Sequence, residues 1–293
     1  MNKIYAFSLS LLVLVSCGAV DHSIVISDQE FSAGIEGPAV SSEGELFVVN
    51  YQKDGTIGKK MSGDTLFHWF IDLPEGSVGN GIRFKNDSIF FVADYPKHQV
   101  LKVNKNQKTV EVFAQEEQMN QPNDLAIGED GILYASDPNW KEGTGNIWRI
   151  LPNGKVELLE AQMGTTNGIE VSPANQFLYV NESVQRRIWK YQISKEGLAD
   201  KTLFFEFSDG GLDGMRCDQK GNLYIARYDK GEVVVLSPEG QIIRTVRLHG
   251  MKPTNVAFGG SDGKTVFVTL QDKRWVEAFK AEYPGRSHQL KIQ

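Results

Sequence analysis

Residues 123–159 read NDLAIGEDGILYASDPNWKEGTGNIWRILPNGKVELL. Four short apolar segments lie in this stretch, at residues 125–127, 132–136, 146–151 and 155–159. The GEDG and PNG sequences that separate two pairs of them are typical of tight turns, because Gly, Asn and Asp favour turn backbone conformations. The stretch therefore predicts four antiparallel strands joined by short loops.

This four-strand unit recurs along the chain at intervals of 42 to 46 residues. The residues that begin the six units are Glu36, Asn80, Asn123, Asn167, Asp213 and Asn255. Units of four short strands with a period of 40 to 45 residues are typical of propeller blades. The repeat predicts an all-β protein with one domain, a six-bladed β-propeller over residues 34–293. Residues 23–26 and residues 289–292 are both candidates for the strand that closes the ring.

The N-terminus reads as a targeting segment. Lys3 precedes an apolar run at residues 4–15, which is too short to cross a bilayer comfortably. The sequence LVSCG at residues 14–18 resembles the bacterial lipoprotein box, which implies cleavage before Cys17 and lipidation of that residue. We therefore expect a signal peptide over residues 1–16 and a lipidated lead-in over residues 17–33. The protein would be anchored in the cell envelope by its lipid alone; an ordinary signal peptide is the alternative.

Composition excludes one class of partner. The 293 residues include 31 Lys and Arg against 37 Asp and Glu, a formal net charge of −6, which argues against nucleic acid binding. Cys17 and Cys217 are the two cysteines, so lipidation of Cys17 leaves no disulfide partner for Cys217. We expect Cys217 to be a small buried residue.

The six unit starts are the candidate chemical groups. In a propeller the innermost strand of each blade begins at one face of the central channel, so these six side chains form a ring. All six carry a side-chain oxygen, and two of them, Glu36 and Asp213, are carboxylates that repel each other unless a cation lies between them. Oxygen ligands without Cys or His suit Ca²⁺, with Mg²⁺, Mn²⁺ or Zn²⁺ as alternatives.

Several motifs carry a resemblance to a known family: EGP at 36–38, PND at 122–124, NGI at 167–169, and DGM followed by GNLY and Arg227. Over roughly residues 34–280 the chain resembles the gluconolactonase and senescence-marker-protein (regucalcin-like) family. The resemblance implies a catalytic divalent metal, usually Ca²⁺, on the axis of a six-bladed propeller. It places the ligands at Glu36, Asn167 and Asp213, with Asn123 as a further direct or water-bridged ligand.

Family members hydrolyse sugar lactones, so the resemblance implies a small lactone or ester as substrate. A metal-polarised carbonyl and Asp213, acting as base or as nucleophile, would carry the reaction. The candidate substrate contacts are Asn80, Asn255, Asp137 and Trp140. We expect Arg83 and Arg216, each three residues past a ring position, to pair with neighbouring blades rather than with substrate.

Two other functions stay open. Residues 138–146, PNWKEGTGN, lack the aromatic–glycine arrangement typical of sugar lactonases. An aryl-ester or organophosphate hydrolase with the same metal and Asp213 is one alternative, since more distant propellers of this kind cleave such compounds. A non-enzymatic, calcium-stabilised scaffold or binding protein is the other, because propellers host many functions.

Overall fold

The computed structural model describes residues 21–289, which form six β-sheets around a central channel. The innermost strands of successive sheets contact each other in order, and the innermost strand of the sixth sheet contacts that of the first. This closed ring confirms the six-bladed β-propeller that the repeat predicts.

The strands follow the chain blade by blade, with the innermost strand first. Two short strands, β1 (Asp21–His22) and β2 (Ile24–Val25), precede the first blade. The first blade contains β3 (Phe31–Val40), β4 (Leu46–Tyr51), β5 (Thr56–Lys60) and β6 (His68–Asp72). The second contains β7 (Gly79–Phe84), β8 (Ile89–Asp94), β9 (Gln99–Asn104) and β10 (Thr109–Gln115). The third contains β11 (Leu125–Ile127), β12 (Leu133–Asn139), β13 (Thr144–Ile150) and β14 (Val156–Met163). The fourth blade contains β15 (Thr166–Val171), β16 (Phe177–Glu182), β17 (Arg187–Ile193) and β18 (Leu198–Glu206). The fifth contains β19 (Met215–Cys217), β20 (Leu223–Arg227), β21 (Glu232–Leu236) and β22 (Ile242–Arg247). The sixth contains β23 (Pro253–Gly259), β24 (Thr265–Leu270) and β25 (Trp275–Lys280).

The third blade shows how the local sequence makes the unit. Gly131 and Gly154 adopt φ values of 75° and 85° in the GEDG and PNG turns, a conformation that glycine reaches without a steric penalty. β11 has the predicted bounds, whereas β12 runs on to Asn139 because its pairing with β13 continues as far as Asn139 and Thr144. The four predicted strands are therefore confirmed, and cross-strand pairing extends them beyond their apolar residues.

The hydrophobic core is divided among the six interfaces between neighbouring blades. Each apolar cluster draws its side chains from two adjacent blades, as where Phe47 of the first blade packs on Phe90 of the second with ring centroids 5.5 Å apart. The cluster between the last and first blades joins Val276 to Phe31. No blade can bury its apolar faces alone, so the fold requires the closed ring.

The N-terminal segment closes the ring. β2 pairs antiparallel with β25, with Ile24 opposite Ala278, and supplies the fourth strand of the sixth blade. β1 adds a fifth, parallel strand to the outer edge of the fifth blade. Of the two candidate closing segments, the one within residues 23–26 therefore takes this role.

Helical structure is minor in this fold. Residues 21–289 contain only two 3₁₀ turns, Pro173–Asn175 and Arg286–Gln289, and no α-helix. Within that range no helix has the length and apolar character needed to cross a bilayer. The expected signal peptide, residues 1–16, and Cys17 lie outside the described residues, whereas Cys217 is buried, as expected.

Candidate metal centre at one end of the channel

The six ring residues meet at the end of the channel where the innermost strands begin, which we call the site face. Asn80 Nδ2 donates a hydrogen bond to the Asn123 carbonyl oxygen at 3.0 Å, which joins the second blade to the third. Asn255 Nδ2 donates to Glu36 Oε2 at 3.0 Å, which joins the sixth blade to the first. The structure therefore brings together side chains that are up to 219 residues apart in the sequence.

Glycine next to a ring residue lets neighbouring blades approach closely. Gly37 adopts φ 57°, and a Cβ built there would lie 1.9 Å from the Asn80 carbonyl oxygen. A Cβ at Gly214 would lie 1.9 Å from Asn255 Cγ. The EGP and DGM motifs thus have a steric basis, because a larger side chain after Glu36 or Asp213 would push the adjacent strand away.

The ring asparagines Asn123 and Asn167 differ from Asn255 in the hydrogen bonding of their side-chain oxygens. The Oδ1 atoms of Asn123 and Asn167 are buried and accept no hydrogen bond from the described residues. Asn255 differs, because its Oδ1 accepts from the Val256 backbone N–H at 2.9 Å. Leaving a buried acceptor without a partner costs about 1–3 kcal/mol. The free oxygens of Asn123 and Asn167 are therefore suited to a cation.

The two ring carboxylates are held in an environment that opposes negative charge. Burial and the nearby Asp124 charge raise the pKa of Glu36 to about 7. Burial, followed by the charge of Glu36, raises the pKa of Asp213 well above its usual range. Asp213 is partly exposed to the channel. A cation between the carboxylates would remove this repulsion and keep both ionised.

The donor set fits a hard divalent ion. Glu36 and Asp213 supply carboxylate oxygens, and Asn123 and Asn167 supply amide oxygens. No group of three or more His, Cys, Asp or Glu side chains suited to a metal occurs in residues 21–289. Four oxygen donors without nitrogen or sulfur match the preference of Ca²⁺, which completes its shell with further oxygens such as water.

Asp124 forms a layer beneath the ring. It is fully buried and accepts hydrogen bonds from Arg83 Nη2 at 3.0 Å and from Arg216 Nη1 at 3.1 Å. The two guanidinium groups hold the pKa of Asp124 below its usual value although burial opposes this. Arg83 of the second blade thus pairs with the neighbouring third blade, as expected, whereas Arg216 of the fifth blade pairs with Asp124 across the channel and lies only 3.8 Å from Glu170 of the neighbouring fourth blade. The sequence alone does not single out Asp124, whose one signal is its place directly after Asn123 in the PND motif.

Asp137 and Trp140 lie in different settings. The Asp137 carboxylate is fully buried and accepts hydrogen bonds from the Asn120 backbone N–H and from Trp148 Nε1, both at 2.8 Å. It thereby fixes the loop that leads to Asn123. Trp140 lies in the hairpin between β12 and β13 on the site face and is 39% exposed, so it is available at the rim.

Arg227, to which the sequence alone assigns no role, holds the segment before Asp213. Its guanidinium carbon lies 3.7 Å from the Phe207 ring centroid, and its Nη2 donates to the Asp209 carbonyl oxygen at 2.7 Å. The Asp213 backbone N–H donates to the Ala226 carbonyl oxygen at 3.0 Å. The final arginine of the DGM–GNLY motif therefore positions the loop that carries Asp213.

The fold and the site together define a six-bladed propeller with an oxygen-lined site on its axis. The chain belongs to the SMP-30/gluconolactonase/LRE-like family, whose model matches residues 35–272. It is 27% identical to a gluconolactonase of Zymomonas mobilis, over 84% of this chain and 78% of that protein. It is 26% identical to diisopropyl-fluorophosphatase of Loligo vulgaris, over 86% and 90%.

A solved structure supports the same fold. The crystal structure of regucalcin from Agrobacterium tumefaciens, described as a calcium-binding protein, superimposes with a TM-score of 0.79 at 20% identity and covers 92% of this chain and 97% of that one. The family resemblance expected from the sequence motifs is confirmed. At this identity the superposition shows the fold alone.

Proposed function

We propose that this protein is a lactonase that hydrolyses sugar lactones with a divalent cation, Ca²⁺ by preference, held by Glu36, Asn123, Asn167 and Asp213. One observation carries the proposal: two buried amide oxygens that accept no hydrogen bond from residues 21–289 lie in the same ring as two carboxylates whose pKa values are raised, by burial and, for Asp213, by the charge of Glu36. Membership of the gluconolactonase family supports the choice of substrate.

The chain's own residues have distinct tasks in this proposal. When bound, the cation polarises the lactone carbonyl and stabilises the negative charge that develops on its oxygen. Asp213 accepts a proton from the attacking water, whose oxygen forms the new bond to the carbonyl carbon. The ester carbon–oxygen bond then breaks, and the proton passes to the leaving ring oxygen. Asn80, which is partly exposed, and Trp140 at the rim bind the substrate.

The decisive experiment uses a pH-stat to monitor hydrolysis of a panel of sugar lactones, aryl esters and diisopropyl fluorophosphate, in the presence of Ca²⁺ or of EDTA. We expect lactone turnover that EDTA abolishes and that Asp213→Asn lowers by about a thousandfold or more, because the variant removes a ligand and the base together. Asp229→Asn is the matched control, since Asp229 is an exposed acid on the same face.

The other results point to the other functions. Turnover of only the fluorophosphate or the aryl esters would move the assignment to those substrates. A rise in Tm with Ca²⁺, without turnover of any substrate, would identify the protein as a scaffold. Reaction in ¹⁸O-water under single-turnover conditions distinguishes the base from the nucleophile, because attack by Asp213 would place unlabelled oxygen in the first product.

We also infer that Cys17 carries a lipid that anchors the protein in the cell envelope. The LVSCG sequence supports this inference. Expression of the full chain in a bacterium should place it in the membrane fraction, and Cys17→Ser should release it. Equal membrane association of both proteins would contradict the lipid anchor.

A further inference from the structure

The end of the channel opposite the site face opens into a cavity of about 850 Å³, which we call the far cavity. Its buried floor includes Arg83, Arg216, Arg286 and Glu170. Apolar side chains, among them Phe258, form part of its wall. The volume is within the range of about 300–1,000 Å³ that is usual for small-molecule sites.

Positive charge exceeds negative charge in the buried cluster beneath this cavity. Arg83, Arg216 and Arg286 face two buried carboxylates, those of Asp124 and Glu170. In this count of charges, the divalent cation of the proposed metal centre balances Glu36 and Asp213 at the site face. The count therefore rests on the proposed function. One positive charge of this buried cluster therefore has no counter-charge within the cluster.

The contacts of Glu170 with the arginines are long. Its Oε1 lies 3.5 Å from Arg286 Nη1, and its Oε2 lies 3.8 Å from Arg216 Nε. Charge-assisted hydrogen bonds of this kind are usually about 2.7–2.9 Å long. Glu170 thus lies near both guanidinium groups without engaging either closely, and both keep capacity for another acceptor.

Three guanidinium nitrogens have no acceptor among residues 21–289: Arg83 Nε, Arg216 Nη2 and Arg286 Nε. All three residues are more than nine-tenths buried, so these donors are withdrawn from bulk solvent. Burial, followed by the neighbouring Arg216 charge, lowers the pKa of Arg83 to about 10. An anion would relieve both costs.

We propose that the far cavity binds a small organic carboxylate, with its carboxylate on the arginine cluster and its carbon skeleton against the apolar wall. A carboxylate has the planar pair of oxygens that a guanidinium fork binds in a bidentate manner. The apolar wall favours a molecule with a carbon chain over a bare inorganic anion. This site lies at the other end of the channel from the metal centre and serves a different ligand.

The test is calorimetric titration of the calcium-loaded full chain with hexanoate. Three further probes each change one property of hexanoate. Gluconate changes the carbon skeleton, phosphate changes the anionic head group, and 1-hexanol removes the charge. We expect hexanoate to bind, and 1-hexanol not to bind. Arg286→Gln should weaken hexanoate binding by about tenfold to a hundredfold, whereas Glu170→Gln should strengthen it several-fold by removing the competing carboxylate. Arg187→Gln is the matched control, because Arg187 is a half-exposed surface arginine paired with Glu206.

The opposite signs of the two variants keep the test valid if one of them folds poorly, which thermal melting reports. No binding of hexanoate to the wild type, or binding that Glu170→Gln does not strengthen and Arg286→Gln does not weaken, overturns the proposal. A preference for phosphate over hexanoate overturns the organic ligand. Calcium binding is measured on the same samples, so failure of the far cavity and failure of the metal centre are separate results.

Discussion

The two ends of the propeller channel are built from the same six strands, yet they carry opposite charges. At the site face the innermost strands place Glu36, Asp213 and four asparagines around the axis. Deeper in the channel the same set of strands supplies Arg83, Arg216 and Glu170 to the floor of the far cavity. One layer of strands therefore lines two different environments, with Asp124 and its arginines between them.

A local irregularity makes this double use possible. In a regular strand, residues three apart point to opposite faces. The register of β7 shifts between Gly79 and Ile82, and that of β15 shifts between Thr166 and Ile169. Such a bulge inserts one residue into the alternation. A ring asparagine and the charged residue three positions later can therefore both line the channel.

Removing the charge that separates the two ends should have the largest effect on stability. Asp124→Asn leaves Arg83 buried without a carboxylate and leaves Arg216 with only the more distant Glu170, and loss of one partner of a buried pair costs about 3–5 kcal/mol. Urea unfolding measures the loss. Asp262→Asn, which removes an exposed acid paired with Lys280, should change the free energy of unfolding by less than about 1 kcal/mol. Equal effects of the two substitutions would show that the buried pairs do not stabilise the channel.

Removing the metal should make the site face sensitive to pH. An acid whose pKa is higher in the folded state binds its proton more tightly when folded, so metal-free protein loses stability as the pH rises. For Glu36 the window runs from 4.5 to about 7. The loss is on the order of 3 kcal/mol across that window. Unfolding in EDTA at pH 5 and pH 8 measures it, and Ca²⁺ should restore stability at pH 8.

Glu36→Gln is the control for this pH dependence, since the amide does not titrate. The difference between wild type and variant isolates Glu36 from the other acids of the chain. The measured quantity is the difference in the free energy of unfolding between metal-free wild type and Glu36→Gln. The same difference at pH 5 and at pH 8 would contradict the raised pKa of Glu36.

Asn167 and Asn255 offer a finer comparison within the site face. Asn167→Ala removes an oxygen that has no hydrogen bond in the described residues, and we expect Ca²⁺ affinity to fall by about tenfold to a hundredfold. Asn255→Ala removes an oxygen that already accepts from Val256 and should weaken Ca²⁺ binding much less. Calorimetry with Ca²⁺ measures both affinities, and similar losses would remove the distinction between the two asparagines.

The smallest effect should come from the rim. Trp140 is 39% exposed, so Trp140→Ala should leave Tm nearly unchanged. We expect KM for a lactone to rise a few-fold with kcat unchanged, as for a contact that substrate and transition state share. Initial rates over a range of lactone concentrations give both constants. A change in kcat with KM unchanged would place Trp140 closer to the chemistry than its position indicates.

The repeat alone predicted the blade count, the strand order within a blade and the convergence of the ring, because glycine turns and apolar strands are local signals. The closing strand was beyond such reasoning, since both candidate segments are short and their pairing is decided by a contact between distant parts of the chain. Asp124 and Glu170 were missed for another reason. They follow ring residues at positions where the six units differ from one another, and only the paired structure shows that they face arginines.

The pairing of β2 with β25 has a consequence for how the protein folds. Ser23 Oγ donates to Glu277 across a separation of 254 residues, so this contact closes nearly the whole described chain into one loop. Contacts of such separation carry the largest loop-closure entropy and form late. The two-residue strand Ile24–Val25 thus holds the closed ring together by pairing with β25. We expect its docking to be the last kinetic step of folding and its release to be the first step of unfolding.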